Sequence, residues 1–70
     1  MNLSDREKEI LIFSILPYKE MSKRLCISVA TVNTHVTNLL NKNPELTTRH
    51  AILIKAIKQG LIDVKDVIIE

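Results

Sequence analysis

The chain has 70 residues, 46% of them hydrophobic, and a formal net charge of +2 at pH 7. This length suits one small domain with a thin core, which would gain stability from a partner, and no linker or repeat suggests a second domain. One cysteine excludes an internal disulfide, and no apolar run approaches the roughly 18 residues of a membrane span, so we expect a cytoplasmic protein.

The first predicted helix opens with the capping box Ser4-x-x-Glu7, in which the hydroxyl and the carboxylate satisfy backbone donors at the helix start. Its apolar residues extend nearly all round, as expected of a buried scaffold helix: Ile10, Leu11, Ile12, Phe13, Ile15 and Leu16. We expect Pro17 to end this helix and to serve as the first residue of the next.

Two short helices joined by a tight turn follow. Helix two is predicted from an apolar stripe at i, i+3 and i+7: Tyr18, Met21 and Leu25. Cys26 and Ile27 form the corner, and Ser28 is placed to cap a new helix that runs from Val29, accepting from the backbone N–H of Ala30 or Thr31. This pattern predicts a helix-turn-helix.

Helix three has one apolar face and one face of small polar side chains. Val32, Val36, Leu39 and Leu40 share the apolar side, and the opposite side presents Ala30, Asn33, Thr34, Thr37, Asn38 and Asn41. Exposed helix positions usually hold residues with higher helix propensity. A face of Asn and Thr therefore indicates that these side chains contact a partner. Such side chains can meet base edges in the roughly 12 Å wide major groove of B-DNA.

Helix four is predicted to begin near Thr48, to present Ala51, Ile52, Ile54, Ala56 and Ile57, and to stop at Gly60. In the tail, Asp63 and Asp66 could each cap a short turn. We expect the apolar Val67, Ile68 and Ile69 to be covered by helix one or by a second subunit.

Basic residues concentrate in the middle of the chain. Between Lys19 and Lys58 there are seven basic residues and two acidic ones, a local surplus of five positive charges. This surplus permits phosphate binding without requiring it.

Five segments in this order resemble the LuxR-type helix-turn-helix domain: LSDREKEIL (3–11), KEMSKRLCIS (19–28), TVNTHVTNLLNK (31–42), TRHA (48–51) and KQGLI (58–62). The resemblance implies an all-α, four-helix DNA-binding domain of bacterial transcription regulators over residues 1–62. Its helix-turn-helix would span about 18–41 and its dimerisation helix about 48–60, with a tail at 63–70.

The chain departs from that family pattern in three places. The segment between Leu11 and Lys19 is two residues shorter and lacks the usual glycine, so the corner between helices one and two must be built differently. The connection 41–49 is one residue longer, with Asn43 where an apolar residue is common. The family's frequent base-reading lysines are replaced by Asn33, Thr34 and Thr37.

Geometry and resemblance together predict a sequence-specific regulator that binds double-stranded DNA as a homodimer, with helix three in the major groove. The expected contacts are Asn33, Thr34 and Thr37 to bases; Lys19, Ser28, Thr31, Asn38 and Lys42 to phosphates; and Ile52, Lys55, Ala56 and Gln59 across the dimer seam. RNA polymerase and an upstream effector domain are further partners that the resemblance leaves open.

His35 matches the histidine of the family's TVxxH segment, and we expect it to be packed and hydrogen-bonded to a neighbour. The two histidines and one cysteine form neither a metal-ligand spacing nor a nucleophile-base constellation, so we expect no metal, no cofactor and no enzymatic activity. Two alternatives remain: a sigma-factor-like promoter-binding domain, and an interaction module of the same fold that dimerises with another regulator without binding DNA.

Overall fold

In the computed structural model, which describes residues 2–69, the chain forms four α-helices, and no described residue lies in a β-strand. The helices are α1 (Asp5–Ile12), α2 (Tyr18–Leu25), α3 (Val29–Lys42) and α4 (Arg49–Lys58), followed by a 3-10 turn at Val64–Asp66. The all-α, four-helix prediction is confirmed, and α2 ends at Leu25 and α3 begins at Val29, as the sequence indicated.

The core lies around α3, which packs against each of the other three helices. Its inward residues Val32, Val36 and Leu39 are buried. The other helices and the tail contribute the remaining buried apolar side chains: Ile10, Leu11, Leu16, Met21, Leu25, Ile52, Leu53, Ala56, Ile62 and Val67. Burying one stripe of a long helix against three neighbours leaves its opposite face available to solvent.

The end of α1 differs from the prediction. The helix stops at Ile12 rather than continuing to Leu16, because the backbone changes to i→i+3 hydrogen bonds from Ser14 to Leu11 (3.1 Å) and from Leu16 to Phe13 (3.0 Å). The buried Ser14 hydroxyl also donates to the Leu11 carbonyl at 2.7 Å. Pro17 is the N-cap of α2 rather than its first residue, and it supplies no side-chain cap.

Two side chains from the start of α4 close the shortened corner between α1 and α2. The Arg49 guanidinium donates to the carbonyls of Ser14 (2.8 Å) and Leu16 (3.2 Å), and it lies over the Tyr18 ring with 4.7 Å to the centroid. His50 Nε2 also lies 3.1 Å from the Ser14 carbonyl and donates to it. A backbone segment outside any helix thereby has its buried acceptors satisfied.

The longer connection between α3 and α4 is organised by Asn43, whose side chain is almost fully buried. Its amide donates to the Leu39 carbonyl at 2.9 Å, and its side-chain oxygen accepts from Lys55 Nζ at 3.1 Å. Its backbone carbonyl accepts from Leu46 at 2.9 Å. A polar residue replaces an apolar one here at little cost, because its hydrogen bonds are made within the fold.

The end of α4 agrees with the sequence, whereas the tail agrees only in part, since Val67 is buried as expected but Ile69 is 70% exposed. Gly60 has φ of 74°, and the Leu61 amide donates to the Ala56 carbonyl at 2.9 Å, as in a Schellman motif. Asp63 caps the 3-10 turn through the Lys65 amide, whereas Asp66 lies within that turn. The Ile68 amide donates to the Ile12 carbonyl at 2.9 Å, so the tail packs on the end of α1 and Val67 enters the core.

Candidate nucleic-acid interface

The turn between α2 and α3 sets the direction in which α3 leaves the fold. Cys26 adopts the left-handed conformation (φ 57°), and the Ile27 amide donates to the Ser22 carbonyl at 3.1 Å, which ends α2. Ser28 then caps α3, its hydroxyl accepting from the Thr31 amide at 3.1 Å and lying 2.9 Å from the Thr31 hydroxyl. The predicted cap is confirmed.

The outward face of α3 presents the residues predicted to meet bases. Asn33, Thr34 and Thr37 are all exposed, as are Ala30, Asn38 and Asn41 along the same face. Thr34 and Ala30 lie opposite the buried stripe, whereas Asn33 lies toward its flank. This face is about 14 residues long and carries no acidic or basic side chain before Lys42.

These three side chains differ in their hydrogen bonding. The Thr34 hydroxyl donates to the Ala30 carbonyl at 3.0 Å. Neither Asn33 nor Thr37 makes a side-chain hydrogen bond to another described residue, so the amide of Asn33 keeps its donors and its acceptor available. A free carboxamide on an exposed helix face can pair with both the donor and the acceptor of adenine.

The five residues predicted to touch phosphates fall into two groups. Lys19, Ser28, Thr31 and Asn38 are exposed, although the two hydroxyls already take part in the cap of α3. Lys42 is held by α1, since its ammonium donates to both carboxylate oxygens of Glu7 at 2.8 Å. Lys42 is thus a link between α3 and α1, and it would reach a phosphate only by sharing or leaving Glu7.

Glu7 pairs with Lys42 in addition to its part in the capping box. Its carboxylate is buried and also accepts from the Ser4 amide at 2.9 Å. Desolvation by burial is the largest single influence and raises the pKa of Glu7, but the hydrogen bonds from Lys42 and from Ser4, together with the Lys42 charge, outweigh it and lower that pKa below its ordinary value. The ion pair could not be predicted, because its partners are 35 positions apart.

Several basic residues of the middle of the chain make contacts within the fold. Besides Lys42, Arg49 closes the corner between α1 and α2, and Lys55 donates to Glu45 at 2.7 Å as well as to Asn43. The hydrogen bond from Lys55 lowers the pKa of the exposed Glu45. Lys19 makes no ion pair with a described residue and remains available to a phosphate.

His35 does not make the hydrogen bond that was predicted. The ring is half-buried and lines a shallow cleft of about 450 Å³ together with Ser4, Glu7, Asn38, Asn41 and Lys42, but it bonds to no described residue. Lys42 and Glu7 line the same cleft, but they are paired with each other rather than with the imidazole.

The predicted dimer seam needs correction at two positions. Ile52 and Ala56 are fully buried in the chain's own core, because they face α1 and α3. The outward surface of α4 is instead a mainly apolar groove of about 450 Å³ lined by Glu45, Leu46, Ala51, Ile54, Lys55 and Lys58. Ile54 is 54% exposed there, and Gln59 is exposed beyond the end of the helix.

Comparison with known proteins gives a family match and a relative. The model of the family described as bacterial regulatory proteins, luxR family, matches residues 1–42. The chain is also 43% identical over 61 residues, or 84% of its length, to the transcriptional activator protein CarR of Pectobacterium carotovorum subsp. carotovorum. It spans 25% of that relative's length. No solved structure matches the chain.

The chain belongs to the luxR family of bacterial regulatory proteins. It carries a helix-turn-helix domain of DNA-binding transcription regulators. Among residues 2–69, no helix is long and apolar enough to cross a membrane.

Proposed function

We propose that this chain binds duplex DNA sequence-specifically in the bacterial cytoplasm, as a homodimer with α3 in the major groove. The observation that carries the proposal is the exposed, uncharged face of α3. The helix that presents this face begins at a cap formed by Ser28. A solvated face gains stability from Lys, Glu or Arg, whereas a face that enters a groove gains from side chains short enough to approach base edges.

We assign the DNA contacts according to the chemistry of each side chain. Asn33, Thr34 and Thr37 read base edges and set sequence preference. Lys19, Ser28, Thr31 and Asn38 contact phosphates, together with the backbone amides at the positive end of the α3 dipole. Lys42 contributes to phosphate binding when it exchanges one Glu7 oxygen for a phosphate oxygen.

The apolar groove on α4 supplies the dimer contact. The exposed Ile54, which lines this groove with Lys55 and Lys58, offers apolar surface that a second copy would cover, and Glu45 and Lys58 would lie at its polar rim. Two recognition helices would then meet half-sites about one helical turn apart, on the order of 34 Å, on a roughly palindromic operator.

Selection from a random duplex DNA pool, followed by sequencing at two salt concentrations, tests the proposal. Phosphate contacts alone predict steep salt dependence without sequence enrichment. An enriched palindromic motif that is lost in Asn33→Ala, at a cost of roughly 1–3 kcal/mol on the preferred site, would support it. Lys19→Ala should weaken binding to all sequences similarly.

A second candidate is an interaction module that dimerises with another regulator without binding DNA. It is favoured by one observation: Lys42, Arg49 and Lys55 are held in contacts within the fold and offer little free positive charge. Stable association with a related regulator, together with no enrichment in the DNA selection, would decide for this candidate.

A further inference from the structure

Thr34 is placed to contact a base, but its hydroxyl group is already used. The hydroxyl donates to the Ala30 carbonyl one turn earlier, at 3.0 Å. A threonine carries two heavy atoms on Cβ, and one staggered arrangement directs the oxygen back along the helix toward that carbonyl. The hydroxyl then has no hydrogen left to donate to a partner that approaches α3, whereas the methyl group of this exposed side chain stays free for apolar contact.

The surroundings of Thr34 are also apolar or uncharged. Ala30, one turn before it on the same line, is exposed, and Val29 at the helix start is 44% exposed. From Val29 to Asn41, α3 carries no Arg or Lys, the side chains that most often read guanine. What this part of the helix offers a base is methyl groups, the Thr37 hydroxyl and the carboxamides of Asn33, Asn38 and Asn41.

We infer that Thr34 reads thymine through its methyl group, by apolar contact with the thymine C5-methyl, and that its hydroxyl takes no part. The inference rests on the proposed DNA-binding function and specifies how one base is recognised. Apolar contact from Ala or from a Thr methyl is an established way to distinguish thymine in the major groove. With Asn33 suited to adenine, the centre of each half-site is read at A·T pairs.

Two substitutions separate the methyl group from the hydroxyl. Thr34→Val keeps the shape and the methyl and removes the hydroxyl, whereas Thr34→Ser keeps the hydroxyl and removes the methyl. Each variant of the full chain is measured on the selected operator and on duplexes in which single thymines are replaced by uracil, which lacks only the C5-methyl. Circular dichroism confirms that both variants are folded.

The expected result is a specific pattern. Thr34→Val binds the operator as the wild type does, and one uracil position in each half-site weakens both proteins about fourfold, the effect of losing one buried carbon group. Thr34→Ser removes this contact from both half-sites, so it binds the thymine operator about sixteenfold more weakly, fourfold for each half-site, and it is indifferent to uracil at that position.

Two outcomes would overturn the inference while leaving the proposed function intact. One is a wild-type motif with no position sensitive to uracil. The other is a loss of affinity in Thr34→Val that Thr34→Ser does not show, which would assign the contact to the hydroxyl. If the wild type selects no motif at all, the proposed function fails, and the assignment of Thr34 fails with it.

Discussion

At the scale of single residues, Cys26 shows how a local conformation is forced by the motif. It is the only non-glycine residue among 2–69 with positive φ, and its side chain is exposed, with its thiol 3.9 Å from the Lys23 carbonyl. A side chain in the left-handed region costs about 1–2 kcal/mol, which glycine avoids. The tight turn between α2 and α3 requires this conformation whichever residue occupies it.

We therefore expect Cys26→Gly to raise the free energy of unfolding by about 0.5–1 kcal/mol, the relief of φ strain being partly offset by the greater entropy of unfolded glycine. Urea denaturation of the two proteins measures the difference. Cys26→Ala is the matched control, since it removes the thiol and keeps the strain, and it should change little. A destabilised glycine variant beside an unchanged Cys26→Ala would contradict the relief of φ strain, and destabilisation of both variants would assign the effect to the thiol.

Asn43 is a second residue whose role depends on its neighbours. Asn43→Ala should lower the free energy of unfolding by about 1–3 kcal/mol. It removes the amide that donates to the buried Leu39 carbonyl, and it removes one of the oxygens that accept from Lys55. Chemical denaturation checks this value. Asn41→Ala, an exposed amide on the same helix, should be neutral or slightly stabilising through helix propensity. Equal effects at the two positions would contradict the role assigned to the buried amide.

At the scale of elements, the helices are joined by polar side chains as well as by the core. Glu7 links the start of α1 to the end of α3 through Lys42, and Arg49 links the start of α4 to the corner before α2. Arg49 suits that position because its planar guanidinium can donate to two carbonyls and stack on Tyr18 at once, which a lysine cannot do. The first link holds α3 against α1, and the second holds α4 against the corner between α1 and α2.

The lowered pKa of Glu7 predicts how acid acts on this link. A carboxyl whose pKa is lower in the folded than in the unfolded state binds fewer protons when folded, so its stabilising contribution is present above the ordinary value of 4.5. That contribution is lost as the pH falls from about 4.5 through the lower pKa of the folded state.

Glu7→Gln should therefore lower the melting temperature at neutral pH and make the stability less sensitive to pH below about 4.5. Because Lys42 is half exposed, we expect a loss of only about 1 kcal/mol. Thermal melts across that pH range provide the test. Glu9→Gln, which removes an exposed carboxylate 3.7 Å from Arg6, is the control, and an identical pH profile for the two variants would rule out the Glu7 link.

At the scale of the whole molecule, the open question is how two copies would associate. Ile54→Glu should weaken the proposed homodimer at least tenfold, because it places a charge in the apolar groove on α4 and removes its large exposed apolar side chain. Sedimentation equilibrium at several concentrations measures the dissociation constant. Val64→Glu is matched to it, since Val64 is 65% exposed outside this groove. A wild type that stays monomeric at high concentration, with and without DNA, would remove this interface.

The sequence by itself determined the helices, their caps and the outward face of α3, because these depend on residues within one or two turns of each other. The end of α2, the start of α3, the capping box at Ser4 and the left-handed Gly60 all follow from local spacing. The order of the five family-like segments identified the class of protein for the same reason. It is a property of the chain, independent of how the helices pack.

Only the tertiary structure decided which polar and apolar groups are free. Lys42, Arg49 and Lys55 are basic residues that a count of charges assigns to the surface, yet each is held by a partner at least ten positions away. Ile52 and Ala56 are inside the core, while Ile54 between them faces outward, because the angle at which α4 meets α1 and α3 selects the buried stripe. Packing geometry of this kind depends on all four helices together, and no local pattern contains it.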